Sequence, residues 1–445
     1  MSQRKKVLII TYYWPPSGGI GVQRCLKFSK YLRAFGWEPI VYTAKNALYP
    51  FLDEGNFKDI PDDLTVIKKK IVEPFALYKR LTGRKRDEPM NNPMHVRNRQ
   101  TSFIENLSIW IRGNFFIPDA RALWVRPSVR FLKKYLKHHP VDAILSDGPP
   151  HTNTYIATRL SKKTGIPLLA DFQDPWTQVD YYQLLKLTKW ADRRHKRKEQ
   201  EVFRTASRIT IASPTWGKQL EEIGPRNVST IYWGYDEDDF AHRPQQTDSY
   251  FSFTHAGLLG FDRKPETFLK VLRELKDEID GFGRDLRIRL AGMVDYSVHE
   301  EIKAHGLEEN TEYLGNVSRE KALDLTMNST ILLLPLNKAA NVKGRIPGKL
   351  FENLRTYRPV LALGPEGTDV EKLIRQYNCG ANFDYDDHQG LKDYILQKYR
   401  EYQAGGIGNC DNDISPLSVK KQTEKLAGFL DEIASGNKNQ QTNHS

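Results

Sequence analysis

Cysteine is nearly absent from this chain of 445 residues: only Cys25, Cys379 and Cys410 occur. Three scattered thiols exclude a disulfide framework and a cysteine-built zinc site, and they fit a reducing cytoplasm. Long apolar runs are also missing, and none approaches the roughly 20 residues that span a bilayer. The N-terminal MSQRKKVLII sets basic residues before a short apolar run, as a signal peptide does. The Tyr-Tyr-Trp-Pro-Pro that follows breaks that pattern, and Val7 to Thr11 reads as a first core strand. A recognisable nucleic-acid reading motif is absent as well, so no nucleic-acid partner is expected.

Charge is present in excess, but unevenly. Residues 1–232 hold 40 Lys and Arg against 21 Asp and Glu, a net +19. Residues 233–445 hold 27 against 34, a net −7. The sign change implies an anionic partner for the first half: a lipid surface, a phosphorylated acceptor or nucleic acid, the last without a reading motif to support it.

Residues 7–43 read strand, glycine loop, helix, strand. The loop glycines Gly18, Gly19 and Gly21 sit at the carboxyl end of the first strand, where doubly wound sheets bind ligands. They do not spell the dinucleotide fingerprint, which argues against a nicotinamide site. Residues 45–115 are polar, basic and poor in core residues, and read as an irregular basic insertion. Within it FIENLSIWIRGNFF carries aromatics suited either to packing or to a membrane interface. A strand over VDAILSD leads through Gly148-Pro149-Pro150 to His151, either a satisfied structural histidine or a site group. IPLLADF is a further strand, and Asp171 and Asp174 close it as loop caps or as candidates for acid/base work. Arg193, Arg194, Lys196, Arg197 and Lys198 then crowd one helix, a solvated face or a patch for anionic lipid.

Gly234 and the acidic run after it read as a hinge. SFTHAGLLG opens a second series of strands and helices, with Gly257 in its glycine loop and Arg263 and Lys264 before its helix. The expected divisions are a first domain over 1–232, a second over 233–415, a last helix over 416–434 and a disordered tail over 435–445.

The stretch 344–364, GRIPGKLFENLRTYRPVLALG, organises the second series. Pro347 and Gly348 stand where a loop becomes a helix. Leu350, Phe351, Leu354 and Tyr357 give that helix an apolar face, and Val360 to Leu363 read as a buried strand. Free N–H groups at such a start favour an anion. Lys349 adds charge there, and Glu352 is placed to accept from a pair of ligand hydroxyls.

This segment, the glycine pair Gly18-Gly19, the hinge phrase and DFQDPW at 171–176 together resemble retaining glycosyltransferases of the GT-B fold, the group 1 or family 4 type. DFQDPW is similar to a subgroup's phrase, with Gln173 in place of an Arg. The resemblance implies two Rossmann-like α/β domains facing across a cleft, with the last helix returning to the first. It implies a nucleotide-sugar donor as substrate, no cofactor, and a glycan or lipid-linked acceptor. It assigns Gly18, Gly19, Gly257, Arg345, Gly348, Lys349 and Glu352 to donor binding, with Glu352 on the ribose. Arg263 and Lys264 would grip the diphosphate, and His151 would lie against donor sugar and phosphate. The family's first glutamate of a Glu-x7-Glu pair falls on Gly344 here. No Asp-x-Asp cluster of the metal-binding sort is assigned, so no metal is expected, and cationic side chains take its place. The expected setting is the cytoplasm, at the anionic inner face of the membrane. A nucleotide-sugar epimerase of the same fold and a catalytically silent relative that binds nucleotide sugar or an anionic surface remain alternatives.

Overall fold

The computed structural model describes residues 4–73, 103–241, 247–408, 410 and 412–442. Contacts divide the chain into two units: residues 1–232 with 419–445, and residues 233–418.

The first unit is built on seven parallel strands: β1 (Lys5–Ile10), β2 (Trp37–Ala44), β3 (Thr65–Lys69), β4 (Ala143–Gly148), β5 (Leu168–Phe172), β6 (Arg208–Ile211) and β7 (Val228–Thr230). Their order is β3-β2-β1-β4-β5-β6-β7, so the winding reverses between β1 and β4. Helices on both faces are α1 (Ile20–Tyr31), α2 (Phe103–Phe115), α3 (Val125–Leu136), α4 (His151–Thr164), α5 (Lys189–Thr205) and α6 (Pro214–Ile223). Strands covered on both faces need continuous apolar runs. Val7 to Ile10 and Ala143 to Leu145 supply them and are almost fully buried.

Two expectations need correcting. The insertion read over 45–115 contains Thr65–Lys69, which pairs with β2 as the sheet's edge strand. Its TVIKK sequence is half-exposed and lysine-rich, as solvent-facing edges are, and so lacks a core strand's signal. The basic stretch 74–102 lies outside the described residues. The last helix, numbered α14, runs Val419–Thr442, through most of the expected tail. A lone Gly436 costs such a helix only ~1 kcal/mol and does not stop it. Leu426, Leu430 and Ile433 of α14 pack with Val7, Ile9 and Leu145 in one core of the first unit.

The second unit holds six parallel strands: β8 (Phe251–Ala256), β9 (Leu286–Ala291), β10 (Thr311–Gly315), β11 (Ile331–Pro335), β12 (Val360–Leu363) and β13 (Gly380–Phe383). Their order is β10-β9-β8-β11-β12-β13, which reverses between β8 and β11. Its helices are α7 (Glu266–Glu278), α8 (Phe282–Asp285), α9 (Tyr296–Ala304), α10 (Arg319–Asn328), α11 (Lys349–Arg355), α12 (Asp369–Gln376) and α13 (His388–Gln403). One core gathers Phe251, Phe253, Phe268 and Leu333. Among the described residues no helix is long and apolar enough to cross a membrane.

Candidate active site

Open parallel sheets bind ligands beyond the carboxyl ends of their strands, at the point where strand order reverses. In the second unit that point lies beyond β8 and β11. Arg263, Thr267, Pro335, Lys338, Leu363 and Tyr385 line a small open pocket there.

The cations around it differ in how they are held. Lys264 is spoken for: its ammonium bonds Glu301 at 2.8 Å and Glu266 at 2.7 Å. The expected pair of phosphate-gripping cations therefore reduces to Arg263, whose guanidinium makes only long contacts of 3.3 Å with the adjacent Asp262. Lys349, at the start of α11, takes the second place. Its Nζ donates to His255 Nε2 at 3.1 Å and to the Ala256 carbonyl at 3.2 Å, both neutral acceptors. The residue keeps some exposure, but its charged end is enclosed. Burial, then the nearby Arg263 charge, pull the Lys349 pKa down to about 7, against the attraction of Glu352.

His255 explains the geometry. Its Nδ1 lies 3.1 Å from the Leu333 carbonyl. Nε2 lies farther, at 3.4 Å, from the Leu258 carbonyl, so the closer contact assigns the proton to Nδ1 and leaves Nε2 to accept from Lys349. Burial and then the Lys349 charge hold this imidazole neutral, well below the usual histidine range. Sequence reading passed over His255, which sits inside a buried strand; the His-Ala-Gly that runs into the loop was its only mark. Gly257 is needed for the approach. A Cβ there would lie 2.8 Å from Lys349 Nζ, and its φ of +133° suits glycine.

The N–H groups of Leu350 and Phe351 bond the Pro347 and Gly348 carbonyls, at 2.9 and 3.2 Å. The Gly348 and Lys349 amides stand ahead of them. Arg345 is half-buried in the preceding loop. Glu352 is not the free carboxylate expected: Arg319 bonds it at 2.6 Å and also bonds buried Asp239 at 3.0 Å. Burial works against the Arg319 charge, but Glu352 and Asp239 outweigh it and hold the guanidinium protonated.

Three Asp-x-Asp triplets do occur: 236–238, 384–386 and 411–413. In the first, Asp236 caps a turn by accepting from the Asp238 N–H, and Glu237 pairs with Arg355. Among the described residues no group of three or more acidic, His or Cys side chains is arranged around a metal position.

The first unit's reversal point is flanked by the other nominated residues. Gly19 caps α1 with φ 78°, and Gly18 packs so closely on Leu52 and Asp53 that a Cβ would meet them at 3.2–3.3 Å. His151 starts α4 directly after β4. It is 6% exposed, and its ring lies flat on Trp176, with centroids 4.8 Å apart and planes 2° from parallel. Burial, helped by the nearby His195, lowers its pKa to about 4 against the attraction of the Asp119 charge, so it is neutral at pH 7. Neither ring nitrogen has a hydrogen-bond partner among the described residues.

Asp171 corrects the acid/base reading. It is fully buried, and Arg24 grips both its oxygens at 2.5 and 2.8 Å while Thr210 donates to it at 2.6 Å. A fully buried carboxylate paired in this way holds α1 to the sheet and is not exposed for acid/base work. Asp147 lies beside it, and burial first, with the Asp171 charge in support, lifts its pKa to about 7. Asp174 is half-buried in the loop after β5.

Residues 18–239 match the family model described as Glycosyltransferase Family 4. No curated protein sequence matches the chain. Among solved structures it is similar to sucrose-phosphate synthase of Thermosynechococcus elongatus, at 13% identity and TM-score 0.53, covering 99% of this chain and 100% of that one. It is also similar to a mutant of TarM from S. aureus solved with UDP, at 10% identity and TM-score 0.52, covering 99% of each chain. A third similar structure, from Listeria monocytogenes, is described as a UDP-N-acetylglucosamine 2-epimerase, at 11% identity and TM-score 0.54, covering 96% of each chain. At such identities the structures establish the fold, which is GT-B. The family match over residues 18–239 points to a glycosyltransferase.

Proposed function

We propose that the protein moves a sugar from a nucleotide-sugar donor to a glycan or lipid-linked acceptor, with retention at the anomeric carbon and without a metal ion. One observation carries this reading: the Lys349 ammonium is enclosed at the carboxyl ends of the second sheet with neutral partners only, and Arg263 adds to its positive field. A buried cation whose direct partners are neutral is poorly solvated, and an anionic ligand relieves that cost. A diphosphate is such an anion.

The chemistry follows from where charge develops. As the bond between anomeric carbon and diphosphate oxygen breaks, the electron pair stays on the diphosphate. Lys349, Arg263 and the amides ahead of Leu350 are set to receive it, and preorganised donors of this kind are worth ~3 kcal/mol each. The acceptor oxygen then bonds the anomeric carbon on the face the diphosphate leaves, and its proton passes to the departing diphosphate oxygen. Glu352, fixed by Arg319, accepts from the ribose hydroxyls.

The test is a panel of nucleotide sugars assayed for nucleoside diphosphate release, with and without lipid-linked acceptors, and NMR of the product's anomeric proton. Acceptor-dependent release with an unchanged anomeric configuration supports the reading, and chelator leaves the rate intact. Isomerisation of the donor without acceptor overturns it in favour of an epimerase.

A further inference from the structure

The helix α2 turns its apolar stripe outward. Its inner side is fixed: the Asn114 side chain donates to the Lys186 carbonyl at 3.3 Å and accepts from the Thr188 N–H at 2.7 Å. Gly113 has no room for a side chain there, since a Cβ would come within 2.8 Å of Leu187 and 2.9 Å of the Leu185 carbonyl. Beside this anchored edge lie Leu107, Ile111 and Phe115, spaced one helical turn apart and 44, 40 and 64% exposed. The adjoining segment leaves Leu184 at 60% and Trp190 at 54% exposure. A core does not explain these side chains, and a contiguous exposed apolar face marks an interaction site.

Charge identifies the partner. Residues 186–198 hold seven Lys and Arg against one Asp. That Asp192 is taken by Lys196 at 2.9 Å and by Tyr182 at 3.0 Å. Arg193, Arg194 and Arg197 are exposed on α5, and Arg194 lies over the exposed Trp190 ring at 4.8 Å. Aliphatic side chains, an amphipathic Trp and surrounding arginines are what the boundary between acyl chains and anionic headgroups accepts.

We propose that α2, the segment leading into α5 and the α5 arginines form a docking surface for an anionic lipid bilayer. The surface lies within the first unit and does not rest on the donor-site reading, so either can fail alone. The experiment is flotation of the full chain with phosphatidylcholine vesicles, with and without phosphatidylglycerol, at low and high salt. Binding is expected at least ~tenfold tighter to the anionic vesicles and weakened by salt. Replacing the three arginines, Arg193→Ser, Arg194→Ser and Arg197→Ser together, is expected to weaken it about a hundredfold. Ile111→Ser with Phe115→Ser is expected to weaken it more than ~tenfold. Tryptophan quenching by brominated lipid, diminished in Trp190→Phe, gives a second readout that needs no large change of surface. Equal binding to neutral and anionic vesicles, no binding at low salt, or variants that float as the parent does would each overturn the proposal.

Discussion

Replacing Lys349 by Met separates function from stability, because the two respond in opposite directions. The fold lowers the Lys349 pKa to about 7, so below its ordinary value of 10.5 the unfolded chain binds the proton more readily than the folded one. Stability of the parent therefore rises with pH between about 7 and 10.5, and the charge costs most at and below pH 7. Taken whole, that shift is worth ~5 kcal/mol; partial exposure of the residue discounts it to ~2 kcal/mol. Lys349→Met removes this cost while keeping the stem, so the ligand-free second unit is expected to melt about 4–8 °C higher at pH 7. The gain fades as pH approaches 10.5. Nucleoside diphosphates should behave oppositely. They raise the melting temperature of the parent by mass action, and the variant should lose about a hundredfold in affinity and most of that shift. In the parent, affinity should fall as pH rises through about 7.5–9, since the ligand prefers the protonated amine. Differential scanning fluorimetry across pH, with and without ligand, reads all of this. A variant that is less stable without ligand, yet keeps the full ligand shift, would refute the electrostatic argument.

Gly257→Ala places a Cβ 2.8 Å from Lys349 Nζ at a φ of +133°; it should cost ~1–3 kcal/mol in thermal unfolding and weaken nucleoside diphosphate binding at least ~tenfold by calorimetry. Unchanged binding would separate the glycine from the lysine. Arg24→Met leaves Asp171 buried without its cation, so urea unfolding should show a loss of ~3–5 kcal/mol, partly recovered in the double variant with Asp171→Asn. Arg319→Met frees the Glu352 carboxylate, and ribonucleoside diphosphates should bind ~tenfold more weakly, with a smaller loss for 2′,3′-dideoxy analogues, which feel only the freed charge beside their phosphates. Equal losses for both ligands would place Arg319 outside ribose recognition.

Much of the fold was legible because parallel strands covered on both faces must be apolar throughout. VLII, AILS and ILLLP announce themselves, and each follows or precedes a glycine or proline that ends it. The edge strand Thr65–Lys69 escaped because an edge gains by being polar. The site was legible where a backbone requirement fixed the residue type. Gly257 and Lys349 could be nominated from sequence, since a glycine loop and a lysine in a first helical turn are local features. Pairing was not legible. Whether Lys264 or Lys349 lacks a carboxylate depends on Glu301 and Glu266 folding against one and His255 against the other. The same limit applies to Asp171, whose Arg24 partner is 147 positions away.

The two sheets treat the same topological position differently, and this decides where the chemistry starts. Each reverses its strand order once, and each gathers polar groups beyond that point. In the first unit those groups include a closed circuit: Arg24 neutralises Asp171, and Asp147 beside it is shifted toward its neutral form. Nothing in that circuit gains from an incoming charge. In the second unit the equivalent ground carries Arg263 and Lys349; Asp262 contacts Arg263 at 3.3 Å, and Glu352, whose charge attracts Lys349, is turned to Arg319. Arg319 therefore does more than orient a ribose ligand. By occupying Glu352 it keeps the lysine unsatisfied, and a site that must release its own counterion before binding would lose that differential affinity. The asymmetry predicts that phosphate recognition belongs to the second unit.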